Sequence, residues 1–143
     1  MTITIRAVAA GDVRAITVLA DQLGYSMSEP QMLEHIEAVI GHADCDAFVA
    51  VHENEVVGWI GLVHRIQLES SPFCEINGLV VDERYRGKRI GAALIEKAKD
   101  WTKKKGCGHL RLRTNVKRVD AHRFYAGLGF TELKEQKVFE IAI

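Results

Sequence analysis

The chain has 143 residues, 48% of them hydrophobic, only two prolines, and 19 Lys plus Arg against 19 Asp plus Glu. That length and apolar content predict a single domain, residues 1–143, with one substantial core and no linker. A net charge of zero excludes the global field that recruits nucleic acid or an anionic membrane, so any anion preference has to be local.

Thr2 to Arg6 alternates, with Ile3 and Ile5 on one face, and reads as a first strand. Asp12 stands where an N-cap belongs, ahead of Val13, Ile16, Val18, Leu19, Ala20 and Leu23 at helical spacing, and Gly24 ends that helix. A second helix is predicted from Ser28, with Glu29 and Pro30 in its first turn, an apolar stripe of Met32, Leu33, Ile36, Val39 and Ile40, and Gly41 as its stop. Residues 47–52 and 56–66 are β-like runs, and the short polar link Glu53-Asn54-Glu55 predicts a hairpin between them. After a polar loop around Glu69 to Pro72, the run from Phe73 to Val81 predicts a further strand.

From Ile90 the apolar residues Leu94, Ile95, Ala98 and Trp101 share one helical face, and Lys103 to Lys105 precede Gly106, where cations complement a helix dipole. Residues 109–114 alternate as a strand, and Asp120 is placed to cap a short helix that carries Phe124 and Leu128 and ends at Gly129. Phe130 to Leu133 and Val138 to Ile143 are expected to close the chain as an antiparallel pair, with Phe139, Ile141 and Ile143 on one face. Hairpins mixed with one strand-helix-strand crossover predict an α/β (α+β) architecture: a mixed, mostly antiparallel central sheet of six to seven strands flanked by about four helices.

Cys45, Cys74 and Cys107 are odd in number and contain no C-x-x-C pair, which argues against a disulfide framework or a zinc site. A reducing cytoplasm is the expected setting, and no bound metal is expected. No charged n-region precedes an apolar core at the amino terminus, and nowhere do about 18 apolar residues follow one another. Neither export by such a leader nor a membrane span is expected.

The segment Arg84-Tyr85-Arg86-Gly87-Lys88-Arg89-Ile90-Gly91-Ala92 joins a strand to a helix, so the first backbone N–H groups of that helix point outward without intrahelical acceptors. Gly87 and Gly91 clear side chains where a ligand approaches the backbone, and Arg86, Lys88 and Arg89 add charge to the positive end of the dipole. The expected ligand is a phosphate. The segment has neither the GK[ST] ending of a P-loop nor G-x-G-x-x-G spacing.

Arg86-Gly87-Lys88-Arg89-Ile90-Gly91 resembles the acetyl-CoA motif R/Q-x-x-G-x-G/A of the GNAT family of N-acetyltransferases. Two further segments are similar to that family: EINGLVVDERY (Glu75 to Tyr85) and HRFYAGLGF (His122 to Phe130), the latter matching an F-Y-x-x-x-G-F signature. The opening IRAVAAGD resembles the family's first strand and helix cap, so the resemblance covers nearly the whole chain. Arg89 stands where the motif usually has a further glycine. Arg118 stands where many relatives carry an Asn seven residues ahead of the Tyr, which leaves Asn115 as a stand-in.

The resemblance implies a GNAT-like sheet, acetyl-CoA as acyl-donor cosubstrate, and direct attack by a primary amine in a ternary complex. It implies that Arg86, Gly87, Lys88, Arg89, Ile90, Gly91 and Ala92 hold the pyrophosphate. The backbone N–H groups near Leu79, Val80 and Val81 are implied to polarise the acetyl carbonyl and meet the pantetheine amides, with Asn115 and Tyr125 completing the cofactor contacts.

A thioester and an amine react through a tetrahedral intermediate, so a catalyst has to deprotonate an ammonium, stabilise an oxyanion and protonate a thiolate. A lysine-like amine has a pKa of about 10.4 and is protonated at neutral pH, which calls for a base. Glu75 is the candidate base, directly or through water. It lies on the strand leading into the loop, where alternation puts Glu75 and Asn77 on one face and Ile76 and Gly78 on the other. A solvated or salt-bridged strand glutamate is the alternative. Tyr125 resembles the family's general acid, donating to the departing sulfur; packing beside Phe124 and Phe130 is the alternative. His122 reads as a surface or capping residue, His35 and His42 lack ligand spacing, and Cys74 reads as a small core residue.

The acceptor is expected to meet residues 24–32 and 65–74, which contain Tyr25, Glu29, Glu69 and Phe73, acids and aromatics that suit a cationic amine. An aminoglycoside, a polyamine, an amino-acid derivative and a protein amino group all fit. A non-catalytic acyl-CoA sensor is the rival reading. The terminal FEIAI strand could pair across an edge and so make a homodimer.

Overall fold

A computed structural model describes residues 1–143. Five strands form one sheet in the order β1 (Thr4–Ala7), β2 (Cys45–His52), β3 (Glu55–Gln67), β4 (Ser70–Val81) and β5 (Leu110–Leu112). The first four run antiparallel, and β5 joins β4 in parallel after the crossover through helix α3 (Ile90–Lys104). Helices α1 (Val13–Gln22) and α2 (Glu29–Ile40) sit between β1 and β2, and α4 (Val119–Gly127) follows β5.

The two faces of the sheet are covered by different helices. Ile16 and Ala20 of α1 and Met32 and Ile36 of α2 pack with Val8 and Val49, with Trp59 laid against them. On the other face, Ile90 and Leu94 of α3 come up against β3 at Gly58, where an added Cβ would stand 3.3 Å from a Leu94 methyl and 2.9 Å from the Val80 carbonyl oxygen. Both helix faces are apolar stripes of the kind that bury against a sheet. Ile60, Leu62, Ile90, Leu94 and Ile95 are all fully buried.

Local sequence explains the joints. Ser28 caps α2: its hydroxyl accepts from the Gln31 N–H at 3.2 Å, and the Gln31 side-chain oxygen accepts from the Ser28 N–H at 2.9 Å. The β2–β3 turn has only two residues, Glu53 and Asn54, with φ of 49° and 66°, the paired left-handed geometry that suits the twist of a hairpin.

Asp12 departs from its expected role. It closes a 3-10 turn, Ala10–Asp12, and its side chain makes no cap bond to α1. Its carboxylate instead accepts from both Arg6 guanidinium nitrogens at 2.8 and 2.9 Å and from the Ala9 N–H at 2.8 Å. A bidentate cation on the neighbouring strand outcompetes the neutral amides of a helix end.

The chain forms two compact units, Met1–Leu112 and Arg113–Ile143. Within the second, α4 starts after Arg118, with Asp120 in its first turn rather than at the cap, and Gly129 ends it at φ 94°. The expected terminal antiparallel pair is not formed: residues 130–143 contain no strand, and 131–143 are exposed throughout. The sheet therefore has five strands, not six to seven. A period-2 pattern reports that a segment is able to pair, and a ladder also needs a partner edge.

Candidate functional site

Between β4 and α3 the chain makes a 3-10 turn, Glu83–Tyr85, before the basic residues. Asp82, buried at the end of β4, accepts from the Arg84 N–H at 3.0 Å and from its guanidinium at 2.8 Å, and Arg84 also pairs with Glu55. Those hydrogen bonds hold the Asp82 carboxyl below its ordinary range. From α1, the Gln22 side-chain oxygen accepts from the Glu83 N–H at 3.1 Å. The loop is thus fixed at its entrance, and Arg86, Gly87, Lys88 and Arg89 beyond it are exposed.

Gly87 has a φ of 77° and Arg89 a φ of 64°. Arg89 stands at the N-cap of α3 without a side-chain cap bond, and the first helical bond runs from the Ala93 N–H to the Arg89 oxygen. The N–H groups of Ile90, Gly91 and Ala92 consequently have no acceptor. Three unsatisfied amides at the positive end of a 15-residue helix, preceded by Arg86, Lys88 and Arg89, make a site for a polyanion.

Strand β4 is irregular just ahead of this loop. Its register with β3 passes from Leu62↔Ile76 to Gly61↔Gly78, so Asn77 is an extra residue on β4. The expected alternation breaks here. A Cβ on Gly61 would meet the Asn77 side-chain oxygen at 2.5 Å, and one on Gly78 would meet the Trp59 ring at 2.7 Å, so Asn77 and Gly78 both face the Trp59 side. The Trp59 Nε1 is buried without a hydrogen-bond partner. Strand β5 pairs with β4 only over Cys74–Ile76, which leaves Leu79 to Val81 without a strand on that edge. Because the Asp82 N–H bonds back to Val57, antiparallel alternation turns the N–H groups of Leu79 and Val81 toward the unpaired edge.

Glu75 is buried at 4% relative exposure, where its Oε1 accepts from Arg65 at 3.0 Å. Arg111, its register partner on β5, lays its guanidinium 4.0 Å from the Phe73 ring centroid. Cys74 is fully buried; burial, with a contribution from Cys107, pushes its thiol up to about 11, which keeps it protonated and unreactive at neutral pH.

In the second unit, Tyr125 is half-buried, with its ring edge-on to Phe124 and Phe130 at 5.3 and 5.8 Å. Burial raises its phenol above the ordinary value, and Arg118 offsets part of that rise. Asn115 turns its side chain onto its own backbone, accepting from the Lys117 N–H at 2.9 Å. His122 Nε2 lies 2.9 Å from the Asn115 carbonyl oxygen. Sequence reasoning missed Gln22, Asp82, Arg65 and the Asn77 bulge. Only Asp82 and Arg84 carried a local signal, an acid two residues before a base at a strand end.

A mixed sheet that opens beside a helix end with free amides and exposed cations defines a protein built to bind a phosphate-bearing carrier. The sequence profile of the Acetyltransferase (GNAT) family matches residues 13–130. Over 100 residues the chain is 30% identical to "Uncharacterized N-acetyltransferase YhdJ" of Bacillus subtilis, covering 69% of this chain and 70% of that one. Over 71 residues it is 38% identical to "Aminoglycoside N(6')-acetyltransferase type 1" of Serratia marcescens, covering 50% of this chain and 48% of that relative, about half its length. The solved structure of AAC(6')-Iy with the bisubstrate analog CoA-S-monomethyl-acetylneamine superposes with a TM-score of 0.90 at 19% identity, covering all of both chains.

The chain belongs to the GNAT family of acetyltransferases. It is an N-acetyltransferase by family, and the structure of the same fold named above holds a CoA-based analog. The residues present fit acetyl-CoA as donor: the acceptor-less amides of Ile90, Gly91 and Ala92 and the adjacent cations match a pyrophosphate. The open edge at Leu79 and Val81 matches the extended, amide-bearing arm of the same molecule.

Proposed function

We propose that the protein, acting as one acetyltransferase domain over residues 1–143 and as a homodimer, acetylates a primary amine on a small cationic acceptor by direct attack in a ternary complex. In this reading Arg86, Gly87, Lys88, Arg89, Ile90, Gly91 and Ala92 bind the pyrophosphate. Backbone groups of Leu79, Val80 and Val81 orient the acyl arm, and Asn115 and Tyr125 complete the contacts. Glu75 draws the proton from the ammonium, and Arg65 steadies its carboxylate. Tyr125 returns a proton to the leaving sulfur, which its raised pKa supports, because the phenol then stays protonated at working pH.

The observation that carries the proposal is the trio of unsatisfied amides behind the basic loop. The acceptor class is supported by the aminoglycoside in the name of the Serratia marcescens relative and by the acetylneamine portion of the analog bound in the structure of the same fold. Thiol release from acetyl-CoA, measured across aminoglycosides, polyamines, amino-acid derivatives and lysine peptides, tests it. Turnover is expected with a small polycationic amine. Tight calorimetric binding of acetyl-CoA with no release for any amine would instead make the protein a sensor.

A further inference from the structure

We propose that the Asn77 carboxamide docks the ammonium of the acceptor and so helps to set which amines are acetylated. This role rests on the cationic amine acceptor proposed above. The observation is the β4 bulge, in which Asn77 is the extra residue opposite β3. A bulge turns two successive side chains toward one face. Asn77 and Gly78 thereby join Glu75, the register partner of Val63, on the Trp59 side of the sheet.

Two glycines clear the space around this carboxamide. A Cβ on Gly61 would stand 2.5 Å from its oxygen, and one on Gly78 would stand 2.7 Å from the Trp59 ring that forms the floor beside it. Asn77 is exposed, and its side chain spends neither its donors nor its acceptor on a partner within the chain. Met27, from the segment expected to meet the acceptor, packs on the same apolar cluster as Trp59, which brings that segment to this face of the sheet.

Charge and position divide the work between neighbours. Glu75 is 4% exposed and held by Arg65 at 3.0 Å, so an arriving ammonium meets the exposed amide first. A neutral carbonyl oxygen accepts a charge-assisted bond from the ammonium without holding its proton as firmly as a carboxylate would, and the docked amine is still able to deprotonate and attack. Leu79, whose outward N–H is assigned to the acyl arm, lies two residues along the strand, roughly 6–7 Å from Asn77. A nitrogen bonded to one is within reach of a carbonyl carbon bonded to the other.

The test is calorimetry of the CoA-saturated protein with neamine and with spermidine, alongside thiol release. Asn77→Ala is expected to weaken amine binding at least tenfold, as loss of a hydrogen bond to a charged group does, while acetyl-CoA affinity stays within about twofold. Gly61→Ala should weaken the amine in the same way, because its methyl group displaces the carboxamide. Asn77→Asp should restore amine binding and move the rising limb of kcat to higher pH, since a carboxylate keeps the ammonium charged. A wild-type protein that binds neither amine overturns the cationic acceptor and the docking role together. Wild-type affinity in Asn77→Ala, or an Asn77→Asp as weak as Asn77→Ala, overturns the docking role and leaves that acceptor standing. A parallel loss of acetyl-CoA affinity in Asn77→Ala overturns it as well.

Discussion

Arg89 holds a left-handed backbone conformation at the position that opens α3. For a residue with a Cβ this costs roughly 1–2 kcal/mol, which explains why glycine suits that place in the motif. Arg89→Gly is therefore expected to raise the melting temperature, less the greater freedom of the unfolded chain. By removing a cation from the helix end, worth about 0.3–1 kcal/mol, it should raise the acetyl-CoA KM about two- to fivefold. A melting curve and an initial-velocity series check both signs. Tyr125 carries a different expectation. Its phenol lies above the ordinary value of 10.0, so as a general acid it stays protonated through neutrality, and kcat should fall on an alkaline limb above that value. Tyr125→Phe is expected to lower kcat by about 10²- to 10⁴-fold, raise the acetyl-CoA KM by far less and abolish the limb. An undiminished kcat would remove Tyr125 from the chemistry.

Two elements of the first unit are anchored by acids that each grip an arginine. Asp12 ties the entry of α1 to β1 through Arg6, and Asp82 ties the phosphate loop to the end of β4 through Arg84. Hydrogen bonds from those arginines lower both carboxyls below the ordinary 3.8. The folded pKa being the lower one, the stabilisation is complete above the unfolded value and is lost as pH falls through the folded one. Urea midpoints should drop below about pH 4 for this reason. Asp12→Asn should cost about 1–3 kcal/mol at neutral pH and flatten that acid dependence; urea titrations of the two proteins at pH 7 and pH 3 measure it. Ser28, Gly24, Gly106 and the apolar stripes made α1, α2 and α3 legible in the sequence, because helix ends are specified by neighbours in the chain. The Asn77 bulge was not legible. It arises where β4 fits around Trp59 and Gly61 on a strand some 16 residues away, and no local pattern marks it.

Across the whole molecule, the buried apolar residues run from Val8 to Trp101 and none lies in Arg113–Ile143. Amide exchange in residues 113–128 should therefore be orders of magnitude faster than in β2, β3 and β4, as followed by mass spectrometry. The candidate site was legible to the same extent as the fold. The basic loop announced itself through its cations and glycines and Tyr125 through the resemblance to a GNAT signature, whereas the pairing of Glu75 with Arg65 depends on the β3–β4 register. The terminal segment showed a strand pattern, yet residues 130–143 contain no strand, because alternation alone supplies no partner edge. Gln22 carries a last consequence. It ends α1, beside the expected acceptor segment, and also holds the Glu83 amide at the entrance to the phosphate loop. An amine that reshapes residues 24–28 pulls on the same side chain, so the two substrates should not load independently. Saturating acceptor is expected to change the affinity for acetyl-CoA, the reverse effect having the same factor, and Gln22→Ala should uncouple them.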